Sequence, residues 1–267
     1  AGCTEETGVA DYTSGNDLRY VDWNRCARHD ELVTRQFMGT EDHTVYFLLD
    51  GSRSMAISDA QKFDLARQLT AALAQLALAN HDRVWAGVFA AGIISEFPLA
   101  RGRAAIPRLF EFLKQQAAAG DATQLEPTIQ QFTSRHIRRG LVVLVSDMFD
   151  AGRFDVAMDS LRLQGYEPLL IHVNDPQEFQ PQFDGKVSLQ PVEGEADDEA
   201  HYNVTIDAQD RSNYAAAFDD ECRRVRGYFH RYGLGVVPVS TGESVTHCLE
   251  RIVLGSVRRR HTRAGVR

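Results

Sequence analysis

Three short stretches of this chain are apolar almost without interruption, and they limit the fold more than any other feature. They are "TVYFLLD" at 44–50, "GLVVLVSD" at 140–147 and "EPLLIHVND" at 167–175. A strand with one face in water alternates apolar and polar residues, whereas an unbroken run needs cover on both faces. Between the runs lie stretches at helical spacing. The clearest, 62–80, places Phe63, Leu65, Leu69, Leu73, Leu76 and Leu78 among alanines. Further helices are expected at 105–118, 125–137, 153–165, 211–233 and 244–254. Pro127 falls in a first turn, where proline is tolerated, and Gly165 serves as a C-cap. Strands 83–90 and 92–99 form a hairpin about a tight Ala-Gly turn, and 234–240 is one more strand. The expected fold is therefore α/β, a doubly wound, mostly parallel sheet with helices on both faces.

The boundaries follow from breaks in this rhythm. Residues 1–42 form an N-terminal segment packed on the domain, 43–255 the domain itself, and 256–267 a basic C-terminal tail. "KVSLQPV" and "HYNVTID" alternate as a β-hairpin inserted at about 183–207, with the acidic loop "EGEADDEA" as its solvated tip. The 267 residues, 43% of them hydrophobic, suffice for one large core. A net charge of -8 argues against general nucleic-acid binding. No run reaches the roughly 18 apolar residues of a membrane span, and no signal peptide is evident, so the expected setting is cytoplasmic. The chain starts on Ala, as a fragment or processed product would. Its four cysteines, Cys3, Cys26, Cys222 and Cys248, are scattered and fit reduced thiols. Cys26 and His29 could form half of a zinc site, but the sequence offers no second half.

Two of the apolar strands end in aspartate. In open α/β sheets ligands bind beyond the carboxyl ends of the strands, near the switch in strand order. The first strand runs into Asp50-x-Ser52-x-Ser54. Ser58 and Asp59 lie nearer the following helix and are the better caps for it, which leaves Ser52 and Ser54 for other work. One carboxylate and two hydroxyls from one loop suit one side of a hard divalent cation, which favours oxygen ligands. More oxygen comes from "GDATQL", with Thr123 and the nearby Asp121, and from Asp147 at the end of its strand, with Asp150 a substitute. The alternative role for Asp147 is to cap the next helix.

Asp50, Ser52, Ser54, Thr123 and Asp147, in that order and strand context, resemble the metal-ion-dependent adhesion site of von Willebrand factor A domains. The middle loop departs from the pattern, with Gly120-Asp121-Ala122-Thr123 where relatives often carry Gly-Gly-Thr. Upstream, "DYTSGNDLRYVDWNRCARHDELVTRQF" resembles the signature of the DUF58 family. Tyr12, Gly15, Asp17, Arg19, Asp22, Trp23, Ala27 and Arg28 match, while Asn16 and Val21 stand where the family tends to have Asp and Ile. Read from chemistry alone, "SGND" is a turn and Trp23 an anchor under the domain.

The resemblance implies Mg2+ or Mn2+ as cofactor and a protein partner that completes the ion's shell with a carboxylate. It also implies a MoxR-type AAA+ ATPase, or its client, as that partner, in chaperone-like assembly. Arg53, Met55 and Met148 are expected to shape the contact surface. No His, Lys or Cys near these loops offers an obvious general base or nucleophile, so an enzyme is not expected. The alternatives are a Mg2+-dependent phosphohydrolase using Asp50 as nucleophile, which lacks the usual Asp-x-Asp, or a scaffold whose ion site is vestigial.

Overall fold

The computed structural model describes residues 5–11, 33–38, 43–57, 61–120, 122–149, 152–179, 185–189 and 202–264, with side chains described from 43 to 254. Contacts divide the chain into two units, Ala1–Asp42 and His43–Arg267. In the first, β1 (Glu5–Asp11) pairs antiparallel with β2 (Val33–Met38). Trp23, Cys3, Cys26, His29 and the signature residues 12–28 lie outside the described residues, as do Ser58, Asp59, Asp121, Asp150 and the acidic loop.

The second unit is built on a six-stranded sheet. Its strands are β3 (Thr44–Asp50), β4 (Arg83–Phe89), β5 (Ile93–Arg101), β6 (Leu141–Ser146), β7 (Glu167–Asn174) and, late in the chain, β10 (Gly235–Ser240), in the spatial order β10-β7-β6-β3-β4-β5. All pairings are parallel except β4 with β5, which form the expected hairpin at one edge. Between β7 and β10 in sequence, β8 (Gly185–Leu189) and β9 (Tyr202–Ile206) form a separate antiparallel ribbon.

Every residue of β3 is buried, and alternation along it feeds two separate cores. Val45, Phe47 and Leu49 point to α1 (Gln61–Ala79), α2 (Ile106–Lys114) and α7 (Val245–Ala264), meeting Leu69, Leu109 and Ile252. Tyr46 and Leu48 point to α3 (Leu125–Arg135), α4 (Phe154–Leu163) and α6 (Ala208–Arg231), meeting Phe132, Met158 and Phe229. The fold is thus the doubly wound α/β sheet covered on both faces. Gly165, just past α4, has φ 83°, the left-handed conformation of a helix C-terminus.

Two elements depart from the sequence expectation. A one-turn helix, α5 (Pro176–Phe179), follows β7, its start held by the Gln177 N–H donating to Asp175 Oδ1 at 2.9 Å. The last helix continues to Ala264, because the arginine-rich segment expected as a tail has strong helix formers and no proline to stop it. Among the described residues no helix is long and apolar enough to cross a membrane. Cys222 and Cys248 are free and buried.

The chain leaves β3 to one side and returns to the other, so the switch in strand order falls between β3 and β6. Leu49 lies beside Val145, so Asp50 and Ser146 emerge together there.

Candidate metal site

Beyond β3 the chain turns sharply at Gly51 into a short 3-10 turn, Arg53–Ala56. Gly51 donates its N–H to Phe89 O at 2.8 Å, and its carbonyl accepts from Ala119 and Gly120 at 3.0 and 2.9 Å. Arg53 N–H donates to Gly120 O at 2.8 Å. The loop after α2 is thereby stitched to the loop after β3. The approach is so close that a Cβ on Gly51 would lie 2.6 Å from Val88 Cγ1, and one on Gly120 2.2 Å from Ala90 Cβ. Gln124 N–H, donating to Ala90 O at 2.9 Å, fixes the far end of this segment and with it Thr123, which is buried.

Asp50 is fully buried. Its Oδ1 accepts from Ser52 N–H at 3.0 Å and its Oδ2 from the Ser146 hydroxyl at 2.6 Å. Ser52 precedes the 3-10 turn but makes no side-chain cap bond. Its hydroxyl instead lies 3.0 Å from that of Ser54, which donates to Asp147 Oδ1 at 3.4 Å. Asp147 does not cap α4. Its Oδ1 accepts from Phe149 N–H at 3.0 Å, closing a local turn. Between them Met148 takes φ 56°, an uncommon left-handed conformation for a residue with a side chain, held by its N–H donating to Ser146 Oγ at 2.8 Å. Such outliers persist only where their surroundings enforce them.

The structure thus brings Asp50, Ser52, Ser54 and Asp147 into one hydrogen-bonded group, with the Thr123 segment pinned alongside. It also brings in groups that sequence reasoning missed. Lys62, on the first turn of α1, is 1% exposed. Its Nζ donates to Asp147 Oδ2 at 2.7 Å and to Glu178 Oε1 of α5. His172 of β7 is buried, with Nε2 3.0 Å from the Asp147 carbonyl. That oxygen can only accept, so Nε2 carries the hydrogen. The expectation that no lysine or histidine adjoins the site is corrected: the partners lie 85 and 25 residues from Asp147 in sequence. Met55 and Met148 are also corrected. They are 0% and 2% exposed and belong to the two cores rather than to a contact surface. Arg53, Gln124 and Phe149 are exposed beside the site instead.

Burial pushes the Asp50 carboxyl up to about 7, aided by the nearby Asp147 charge and opposed by the bonds from Ser146 and Ser52. For Lys62, burial alone would lower the ammonium, but Asp147 and Glu178 outweigh it and hold the value above the usual one. Glu178 is raised by burial against the pull of Lys62, and His172 is lowered by burial.

This donor set suits a hard cation. Adjacent ligands of an octahedral ion with bonds of roughly 2.1 Å stand roughly 3.0 Å apart, and the two serine hydroxyls are separated by 3.0 Å. Both oxygens of Asp50 accept hydrogen bonds, Oδ1 from Ser52 N–H and Oδ2 from the Ser146 hydroxyl, which fixes the orientation of the carboxyl. Among the described residues no group of three or more His, Cys, Asp or Glu side chains could hold an ion. With only two carboxylates in the group, the two serine hydroxyls are the neutral oxygens nearest to hand, and a divalent ion there would keep net positive character.

The family model "Protein of unknown function DUF58" matches residues 8–224. An uncharacterized protein of Mycobacterium tuberculosis, Rv1480, is 26% identical over 224 residues, covering 81% of this chain and 69% of that protein. Among solved structures, the conserved hypothetical protein BatB from Bacteroides thetaiotaomicron superposes with TM-score 0.50 at 14% identity, over 82% of this chain and 99% of BatB. A von Willebrand factor type A protein from Catenulispora acidiphila overlaps less, with TM-score 0.41 at 15% identity, over 54% of this chain and 36% of that one.

Proposed function

This chain belongs to the DUF58 family and folds as a doubly wound α/β sheet, and from its likeness to the metal-ion-dependent adhesion site of von Willebrand factor A domains we propose that it is a metal-dependent protein-interaction module. Mg2+ or Mn2+ binds at Asp50, Ser52, Ser54, Thr123 and Asp147, and a partner carboxylate completes the shell. The observation that carries this reading is the Ser52–Ser54 hydroxyl pair, 3.0 Å apart beside Asp50 at the switch in strand order. Ser52 makes no side-chain cap bond, and Ser54 links it to Asp147, so both hydroxyls lie within reach of both carboxylates. Asp50, Ser52, Ser54 and Thr123 are at most 5% exposed and the Asp147 side chain 4%, so a partner's carboxylate reaches the ion past the rim of Arg53, Gln124 and Phe149.

The partner that the family resemblance supports is a MoxR-type AAA+ ATPase or its client. One carboxylate–metal contact cannot by itself supply nanomolar affinity, so most of the strength comes from the surface around the ion. Hydrolysis with Asp50 as nucleophile fits less well. Its carboxyl is fully buried and held by Ser52 N–H and the Ser146 hydroxyl, so it offers no open line of attack to a phosphate.

The test is affinity for the ATPase from the same cell, measured for wild type, Asp50→Asn and wild type in EDTA. Asparagine keeps the shape and an acceptor at this site while removing the charge. Both treatments are expected to weaken binding strongly and not to add, with Ser52→Ala weakening it less. Equal affinity in all conditions would leave the fold or the N-terminal segment as the recognition element.

A further inference from the structure

We infer that Lys62 is a tethered competitor of the divalent ion for Asp147, and that Glu178 is the site to which its ammonium withdraws when the ion binds. This rests on the ion-site reading above and adds a residue that sets how tightly the ion is held.

The geometry is specific. Lys62 Nζ lies between two carboxylates from different elements, Asp147 after β6 and Glu178 on α5. It takes Asp147 Oδ2 at 2.7 Å, while Asp147 Oδ1 faces the Ser54 hydroxyl. One carboxylate thus faces the proposed ligands with one oxygen and an internal cation with the other. An ion drawing on Asp147 lowers the electron density available to the lysine and also repels it, since both are positive and water is largely excluded. A lysine on a flexible stem can shift between adjacent acceptors. The second acceptor is already in contact. Asp175, buried at the start of α5, has its Oδ2 without a hydrogen-bond partner among the described residues and adds negative charge on the same side. Ion occupancy is thereby coupled to α5, at the end of β7. A lysine serving only as a structural ion pair would need one carboxylate, and here it bridges two.

The experiment is calorimetric titration with Mn2+ of wild type, Lys62→Met and the double variant Lys62→Met/Glu178→Gln, each checked for folding by near-UV circular dichroism. The double variant removes one positive and one negative charge, so the net charge is that of wild type. Competition predicts that both variants bind Mn2+ at least tenfold more tightly than wild type. Should the single variant fail to fold, the double variant alone decides. Tightening in the single variant but not in the double would mean that Lys62 acts only through net charge, and would overturn the competition. Unchanged or weaker binding in both variants would overturn it as well, with the ion site intact. Silence in wild type with clear binding in the variants would support the competition but overturn the ion-dependent interaction on which it rests. Silence in all three proteins overturns the ion site itself.

Discussion

The sheet presents polar residues at two places along the same edge, and they are built in opposite ways. Beyond β3 and β6, Asp50, Ser52, Ser54, Lys62 and Asp147 are withdrawn from water and bonded to one another. Beyond β7 and β10 lies an open cleft of about 590 Å3, lined by Asn174, Arg226, Glu243 and Arg251. There Arg251 grips Glu243 with two hydrogen bonds, at 2.7 and 3.1 Å, yet both side chains remain about a third exposed. The same kinds of groups therefore carry different energies. Charges in water are screened and interact weakly, whereas charges out of water must be compensated. The switch in strand order falls at the first place and not the second, so two diverging loops there enclose their polar groups.

The comparison breaks most visibly under substitution of the lysine. Lys62→Ala leaves Asp147 and Glu178 buried without their cation, and the expected loss is about 3–5 kcal/mol, the range for breaking one side of a buried pair. Urea denaturation in EDTA measures it. A loss below about 1 kcal/mol would place the triad effectively in water.

Ion binding sharpens the contrast from the other direction. An ion that binds only the native state raises stability by about 2.7 kcal/mol at a hundredfold excess over Kd. Thermal unfolding in EDTA and then in excess Mn2+ or Mg2+ should show the rise in wild type, and Asp50→Asn should abolish it.

A third effect is a slope with pH. In ion-free protein the native Asp50 holds its proton up to about 7, while the unfolded chain releases it near the ordinary 3.8. Between those values the native state binds more protons, so raising pH costs stability. The Asp50 contribution is complete below about pH 4 and is lost as pH passes 7, with a slope of at most about 1.4 kcal/mol per pH unit. The difference between wild type and Asp50→Asn in denaturation at pH 5, 6 and 7 isolates it, and a flat difference would mean an Asp50 of ordinary acidity. The smallest effect belongs to the cleft. Arg251→Ala should cost only about 0.2–1 kcal/mol, the range of exposed pairs, and weaken further with salt.

The fold was largely legible because its signals are local. Each unbroken apolar run became a strand covered on both faces, and Asp50-x-Ser52-x-Ser54 could be recognised as a strand-end loop rich in hydroxyls. Thr123 and Asp147 were found because each marks the end of a strand or the start of a helix. Lys62 was hidden by its own position. It opens an amphipathic helix, where a lysine normally points to water, and its partners Asp147 and Glu178 lie 85 and 116 residues away. Met55 and Met148 read as rim residues because they neighbour the ligands in sequence, but the 3-10 turn at 53–56 and the left-handed backbone at 148 turn both inward. Burial of the whole ligand set likewise depends on how three loops close over one another, which no single stretch encodes.

The most direct test of the ion-dependent account is calorimetric titration of Mn2+ into wild type and Asp50→Asn at pH 7.5, where the wild-type carboxyl is mostly ionised. The account predicts one ion per wild-type chain and no binding above background in a folded Asp50→Asn. Absence of binding in wild type, or equal binding in both proteins, would contradict it.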